Sequence, residues 1–224
     1  NLKISANSRY RLWVNGQPVL SGPCKGDKWR QYYDTVDVSR YLQPGYNCIA
    51  VKVVAYPAYE SDTEMIMAPI SVMTNGAGPY LMVDGICKTD KNRVLADITT
   101  GYGDWYVSLD EATEWIPYSK TYWMGAMEKV DSLRLPYGWK NYQEPEGKWY
   151  KAEHCWVATG DSSDVSYGVL PPMPLAERPI PMLYEVKRFF QKEMPVFNNE
   201  RERMSFPSLI ENTVITLAPN SKYV

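Results

Sequence analysis

Apolar and polar residues alternate over several short stretches of the chain, which is the pattern of half-buried β-strands. Over residues 9–14, every second residue is apolar and lies on one face: Tyr10, Leu12 and Val14. The dipeptide Asn15-Gly16 follows directly, and it favours a tight hairpin because both positions accept a positive φ. The sequence therefore predicts a strand, a two-residue turn and a returning strand over Gln17–Leu20.

Further apolar or alternating stretches predict more strands, separated by turn residues. They are, in chain order, 32–38, 47–55, 66–74, 80–85, 93–99, 105–108, 149–159, 182–190 and 212–217. Predicted turns fall at 39–45 (helical, closed by Pro-Gly), at Asp84-Gly85 and at 101–103. For 124–137 the pattern fits either a strand pair or an irregular loop across the sandwich. Short strands with almost no helix predict an all-β jelly-roll or galactose-binding-like β-sandwich.

Proline-rich stretches change the character of the chain beyond residue 161. Residues 170–174 and 178–181 are proline-rich, and proline cannot donate the hydrogen bonds of a sheet. We therefore expect an N-terminal β-sandwich over 1–160, an ordered Pro-rich connector over 161–181 and the beginning of a second, truncated β domain over 182–224. The chain starts at Asn1 and stops where another strand is expected, so both ends are expected to be cut.

Length and charge exclude several functional classes. The chain has 224 residues, 45% of them hydrophobic and 22% charged, which suits one packed sandwich or one sandwich with the start of another. Its net charge of -2 argues against a nucleic-acid partner, which would require a basic surface. No stretch of about 18 apolar residues is present, so we predict no membrane span.

Residues with metal-binding or nucleophilic chemistry are few. The four cysteines are widely spaced without a CxxC pair, which predicts free thiols and no zinc site, and Cys48 is predicted to be buried. One histidine, His154, cannot form a two-histidine metal site, and its neighbour Cys155 would point to the opposite face of a strand. Glu128 and Asp131 are the candidate pair of catalytic carboxylates. In an extended chain they lie on opposite faces, about 10 Å apart, so we predict no catalytic residue.

Aromatic residues are unusually frequent, with 18 Tyr and 8 Trp. Several stand beside polar groups or glycine turns, an arrangement that suits a pyranose ring because the sugar stacks on the aromatic face and its hydroxyls bind the polar groups. The same residues also favour strands and cores, so a purely structural role is the alternative for each of them. The predicted carbohydrate-binding residues are Trp29, Tyr33, Asp34, Trp105, Glu128, Asp131 and Trp139.

Several of these segments together resemble one family. Residues 9–16, 33–38 and 41–51 follow the pattern Y-x-L-x-V-N-G, Y-D-T-x-D-V and L-x-P-G-x-N-x-I-A-V. This pattern resembles the N-terminal domain of bacterial α-L-rhamnosidases of glycoside hydrolase family 78. Segments 104–107, 127–131 and 178–185 extend the resemblance, although Met127 and Val130 stand where the family has glycine and tyrosine. The resemblance spans roughly residues 8–185.

The resemblance implies an accessory, non-catalytic part of an enzyme that removes terminal α-L-rhamnose from plant or bacterial glycans. The family's catalytic carboxylates lie in a downstream (α/α)6 barrel, so no catalytic residue is carried over to this chain, and whether this chain is itself an enzyme stays open. Two alternatives stay open as well: a stand-alone carbohydrate-binding module and a structural or adhesive sandwich. The expected partners are rhamnose-containing oligosaccharides or polysaccharides and the downstream catalytic domain. No cofactor is expected except a calcium ion, which accompanies the sugar in some family members. A periplasmic or extracellular location is favoured over a cytoplasmic one.

Overall fold

The structure is a computed structural model, and it describes residues 1–26, 30–56, 65–66, 78–116, 118–119, 127–141, 146–153, 175–182, 195–197 and 203–205. Within these ranges the regular elements are almost all short strands. The first eight are β1 (Leu2–Asn7), β2 (Arg9–Val14), β3 (Gln17–Gly22), β4 (Gln31–Val36), β5 (Ile49–Val54), β6 (Met65–Ile66), β7 (Tyr80–Lys88) and β8 (Val94–Asp97). The others are β9 (Tyr106–Val107), β10 (Thr113–Ile116), β11 (Tyr118–Ser119), β12 (Met127–Val130), β13 (Tyr150–Lys151), β14 (Leu175–Glu177), β15 (Pro195–Phe197) and β16 (Arg203–Ser205). Two 3-10 helices cover Ser39–Tyr41 and Ser132–Arg134.

Two sheets form the sandwich. One has five strands in the order β14-β4-β1-β7-β8, and the other has three in the order β3-β2-β5. The apolar side chains of the two sheets meet in one core, because the strands present alternate residues to it. The buried members of this core are Leu2, Ile4, Ala6, Tyr10, Leu12 and Val83. The predicted all-β sandwich is confirmed.

The hairpin predicted at Asn15-Gly16 is present between β2 and β3. Asn15 has φ 50° and Gly16 has φ 77°, as a type I′ turn requires. The Asn15 side chain also bonds the loop before β5, since its Oδ1 accepts from the Cys48 backbone N–H at 2.8 Å and its Nδ2 donates to Asn47 Oδ1 at 2.9 Å. The hairpin is therefore held by its own turn geometry and by the neighbouring strand's entry loop.

One predicted turn was wrong. Asp84-Gly85 lies inside β7, which continues to Lys88. Gly85 pairs with Leu2 on β1, and a Cβ at this glycine would stand 2.8 Å from a Leu2 methyl group. Asp84 forms an ion pair with Lys3 at 3.2 Å on the same strand pair. The glycine serves close packing across the sheet and not a change of direction.

Six of the described strands were not predicted. These are β1 at the centre of the five-stranded sheet, β10 paired with β12, β11 paired with β6, β14 within the Pro-rich connector, and the pair β15 and β16. The described part of 124–137 holds one strand, β12, which pairs with β10 outside this segment, and the 3-10 helix after it. Neither a strand pair within the segment nor an irregular loop describes it. The predicted strand 212–217 lies outside the described residues, as do most of 66–74, 149–159 and 182–190.

The chain divides into two compact units, Asn1–Pro179 and Ile180–Val224. In the second unit the described strands β15 and β16 form an antiparallel pair. The domain limits at 160 and 181 stay predictions. Within the described part of the chain, no helix is long and apolar enough to cross a membrane. The three described cysteines, Cys24, Cys48 and Cys87, carry free thiols, and His154 and Cys155 lie outside the described residues.

Candidate functional site

A buried ion pair joins the connector to the sandwich. Arg178 Nη1 donates to Asp34 Oδ1 at 2.7 Å, and the two side chains are 7% and 0% exposed. The other carboxylate oxygen, Oδ2, accepts a hydrogen bond from the Tyr10 hydroxyl. Tyr10 is itself 3% exposed and belongs to the core. We call these three residues the Asp34 cluster; it satisfies both oxygens of a buried carboxylate, as burial of a charge demands.

The backbone around Arg178 supports this cluster. Strand β14 pairs in parallel with β4, so that Glu177 lies opposite Tyr33. The Arg178 backbone N–H donates to the Tyr33 carbonyl oxygen at 3.0 Å, and the Thr35 hydroxyl donates to Glu177 at 3.2 Å. The end of the connector is thus fixed to the sandwich by main-chain bonds as well as by the buried guanidinium.

The Asp34 cluster shifts the acidity of its tyrosine. Burial raises the pKa of Tyr10 far above its usual value, and the neighbouring Asp34 carboxylate raises it further. The hydroxyl therefore stays protonated in the folded chain and keeps donating to Asp34. Because the folded pKa lies above the unfolded one, the resulting stability is full at pH values below the ordinary tyrosine pKa of about 10 and is lost as pH rises above it.

Replacing Tyr10 with phenylalanine tests this linkage. Above about pH 10, the free energy of unfolding of the wild type should fall more steeply than that of Tyr10→Phe, by about 1.4 kcal/mol per pH unit. Urea titrations at a series of alkaline pH values measure both slopes. Equal slopes would show that the Tyr10 hydroxyl ionises in the folded chain as it does in the unfolded one.

The structure separates the sequence-predicted sugar-binding residues. Trp29 lies outside the described residues. Tyr33 is half-buried on β4 and lies opposite Glu177 of the connector strand, whereas Asp34 belongs to the Asp34 cluster. Its carboxylate is enclosed by protein groups, a structural role that the sequence did not indicate.

Trp105 and Trp139 belong to two different clusters. Trp105 packs against the main core, and its indole N–H donates to the Ile98 carbonyl oxygen at 2.9 Å. Trp139 packs on Trp13 in a second cluster, with ring centres 5.2 Å apart and an interplanar angle of 77°. The two tryptophans therefore do not form one groove, and sugar binding at either stays a prediction.

Glu128 and Asp131 lie on one segment, but their side chains have different surroundings. Glu128 is exposed on β12, opposite Trp115 of β10. Asp131 caps the second 3-10 helix, because its carboxylate accepts from the Leu133 backbone N–H at 3.0 Å. Among the described residues there is no group of three or more His, Cys, Asp or Glu side chains that could hold a metal ion, and calcium binding stays a prediction.

An aromatic pair near Glu128 was missed by the sequence reasoning. The rings of Tyr56 and Trp115 lie 5.6 Å apart at 51°, and both side chains are half-buried. Burial raises the pKa of Tyr56, as does the Glu128 carboxylate, while Arg9 acts in the opposite direction. Two aromatic rings thus lie beside the strand position that carries the Glu128 carboxylate. The alternation Thr113-Glu114-Trp115-Ile116 carried the signal for this strand.

Comparison with known proteins gives a likeness of fold. No protein-family model matches the chain, and no curated protein matches it. A solved structure does: the crystal structure of a GH78 family rhamnosidase of Bacillus sp. GL1, with a TM-score of 0.57 and 24% identity. The match covers 88% of this chain and 18% of that one, so the chain spans less than a fifth of the length of its solved relative. The predicted resemblance to a rhamnosidase is confirmed as a likeness of fold.

Proposed function

We propose that the chain is a non-catalytic β-sandwich part of an α-L-rhamnosidase and supports an (α/α)6 catalytic domain of the same polypeptide. Two findings support this proposal: the likeness of fold to a GH78 rhamnosidase and the small share of that enzyme which the match covers. The substrate of the whole polypeptide is then a glycan with terminal α-L-rhamnose, and the protein acts on it in the periplasm or outside the cell.

The buried pair Arg178–Asp34 is the observation that carries the accessory role. A binding module that works independently of its neighbours commonly hangs on a flexible linker. Here the connector ends in a strand of the sandwich's own sheet, with a charged side chain 7% exposed against a carboxylate 0% exposed. Up to Arg178 the connector is therefore part of the sandwich's own fold, which fits an accessory part of a larger enzyme better than a module on a flexible linker.

Three of the described carboxylates also fit a non-catalytic part. Glycoside hydrolysis needs two carboxyl groups facing each other across a bond, roughly 5 to 9.5 Å apart. Asp34 is enclosed, Asp131 caps a 3-10 helix, and Asp110 binds Lys52 at 2.7 Å. None of these three groups is presented to a substrate as an acid or a nucleophile.

Hydrolysis of an aryl α-L-rhamnoside tests the proposal. We expect the 224-residue chain alone to release no more phenol than buffer, and the natural polypeptide that contains it to hydrolyse the substrate. Deletion of residues 1–182 from that polypeptide should lower its thermal inactivation temperature. Turnover by the chain alone, or no rhamnoside turnover by the whole polypeptide, would contradict the proposal.

A carbohydrate-binding module is the second candidate, and the Tyr56–Trp115 pair favours it. Its two aromatic faces lie beside Glu128, which could accept hydrogen bonds from sugar hydroxyls. Calorimetric titration with L-rhamnose, with and without calcium, decides between the candidates. Saturable heat that Trp115→Ala removes and Tyr102→Ala leaves intact would establish the module; Tyr102, at 84% exposed, is the matched surface aromatic.

A further inference from the structure

Two cations stand over a single indole ring on the outer face of the three-stranded sheet. The guanidinium carbon of Arg11 lies 5.6 Å from the centre of the Trp13 ring, and Lys140 Nζ lies 4.7 Å from it. Lys140 Nζ is also 5.3 Å from the ring centre of Trp139. We call Arg11, Trp13, Trp139 and Lys140 the Trp13 patch. Both cations lie against the same ring, whose negative faces attract them.

The Trp13 patch carries an excess of positive charge. Among the described residues, neither Arg11 nor Lys140 forms an ion pair with a carboxylate. Lys52 lies opposite Arg11 on β5 and is neutralised by Asp110 at 2.7 Å. The formal net charge of the whole chain is -2, so the local excess is a feature of this face and not of the protein as a whole.

The backbone fixes the geometry of the Trp13 patch. Gly16 of the hairpin donates its N–H to the Lys140 carbonyl oxygen at 2.9 Å, and Asn141 N–H closes a turn on Gly138 at 3.1 Å. Gly138 adopts φ 80°, which lets the turn present Trp139 and Lys140 to the hairpin. Trp13 is 8% exposed, so its ring is almost fully covered, whereas Trp139 is half-exposed. The cations are thus positioned before any ligand arrives.

We propose that the Trp13 patch binds a carboxylated sugar, such as a uronic acid residue of a glycan. The carboxylate accepts hydrogen bonds from Arg11 and Lys140, and the apolar face of the sugar ring packs beside Trp139. Charge-assisted bonds of this kind are stronger than neutral ones, and an indole beside them adds a planar apolar contact. This site goes beyond the supporting role proposed above and does not depend on it.

A sugar acid is favoured over an acidic peptide because the cations share their surface with a half-exposed indole, which suits the flat apolar face of a pyranose. An acidic peptide therefore serves as a competing ligand in the test.

Titration calorimetry of the whole chain with trigalacturonate tests the site. The fully methyl-esterified trisaccharide is the matched neutral ligand, and triglutamate is the matched acidic peptide. We expect saturable binding to trigalacturonate that weakens as salt is raised. Arg11→Met and Lys140→Met should each weaken it about tenfold, since each removes one charge-assisted bond while keeping an aliphatic stem on the ring. Lys129→Met is the control, because Lys129 is exposed and pairs with Glu114 at 3.0 Å on another strand pair.

Four outcomes would overturn the assignment. They are no saturable binding of trigalacturonate, equal affinity for its methyl ester, equal affinity for triglutamate, and a loss in Lys129→Met as large as that in the two patch variants. Arg11→Lys, which keeps the charge, should recover much of the affinity lost in Arg11→Met. The aryl rhamnoside assay tests the supporting role, and the calorimetry tests the Trp13 patch. Failure of one proposal is therefore distinguishable from failure of the other.

Discussion

Arg178→Met should lower the free energy of unfolding of the sandwich by about 4 kcal/mol, because it leaves a buried carboxylate without its cation. Asp34 is 0% exposed, and Arg178 Nη1 lies 2.7 Å from its Oδ1. Methionine preserves most of the side-chain volume, so the loss reports the missing charge and not a cavity. Urea unfolding followed by tryptophan fluorescence measures the change.

A surface arginine provides the control for this prediction. Arg134 pairs with Glu111 at 3.2 Å, and these side chains are 53% and 66% exposed. Arg134→Met should change the free energy of unfolding several times less, since water solvates both charges when they separate. Similar losses in both variants would show that Asp34 is hydrated when Arg178 is absent. That result would contradict the enclosure of Asp34 by protein groups.

Gly22→Ala should be the next most damaging change, with a loss of about 3 kcal/mol. A Cβ at Gly22 would lie 2.0 Å from Asp34 Oδ2 and 2.8 Å from the Tyr10 hydroxyl oxygen. Neither group can move away easily, because Asp34 is held by Arg178 and Tyr10 is packed in the core. Overpacking of this kind typically costs about 1–3 kcal/mol, and disturbing the ion pair adds to it.

Gly78→Ala is the matched glycine control. A Cβ there would meet nothing within 4 Å. The difference in the free energy of unfolding between Gly22→Ala and Gly78→Ala therefore isolates the crowding at the Asp34 cluster. A Gly22→Ala protein as stable as Gly78→Ala would mean that Asp34 and Tyr10 do not approach β3 as closely as the structure places them.

Local signals in the sequence were sufficient for much of the sandwich. The hairpin at Asn15-Gly16 depends on neighbouring residues only, as does the alternation of core-facing and outward-facing residues in β2. Both features are present. Gly85 shows where local reasoning was wrong, because its partners Leu2 and Ile98 lie on other parts of the chain. A glycine beside an aspartate is typical of a turn, and only the packing across the sheet reveals its other use.

The site depends on contacts that no local pattern contains. Asp34 and Arg178 are separated by 144 positions, so their pairing could not be predicted from composition or spacing. Asp34 stood in a cluster of aromatic and polar residues that suited a sugar, and burial gives it a structural role instead. Likewise, Lys140 and Arg11 come together only because the turn at Gly138 is bound to the hairpin at Gly16.

Arg178 fixes the end of the connector to the sandwich through Asp34. A double-mutant cycle measures this coupling, with Asp34→Asn, Arg178→Met and the double variant compared with the wild type by urea unfolding. We predict a coupling energy of about 2 kcal/mol, because removing the second charge is far less harmful once the first is gone. Strictly additive losses would contradict the claim, since the two side chains would then contribute to stability independently of each other.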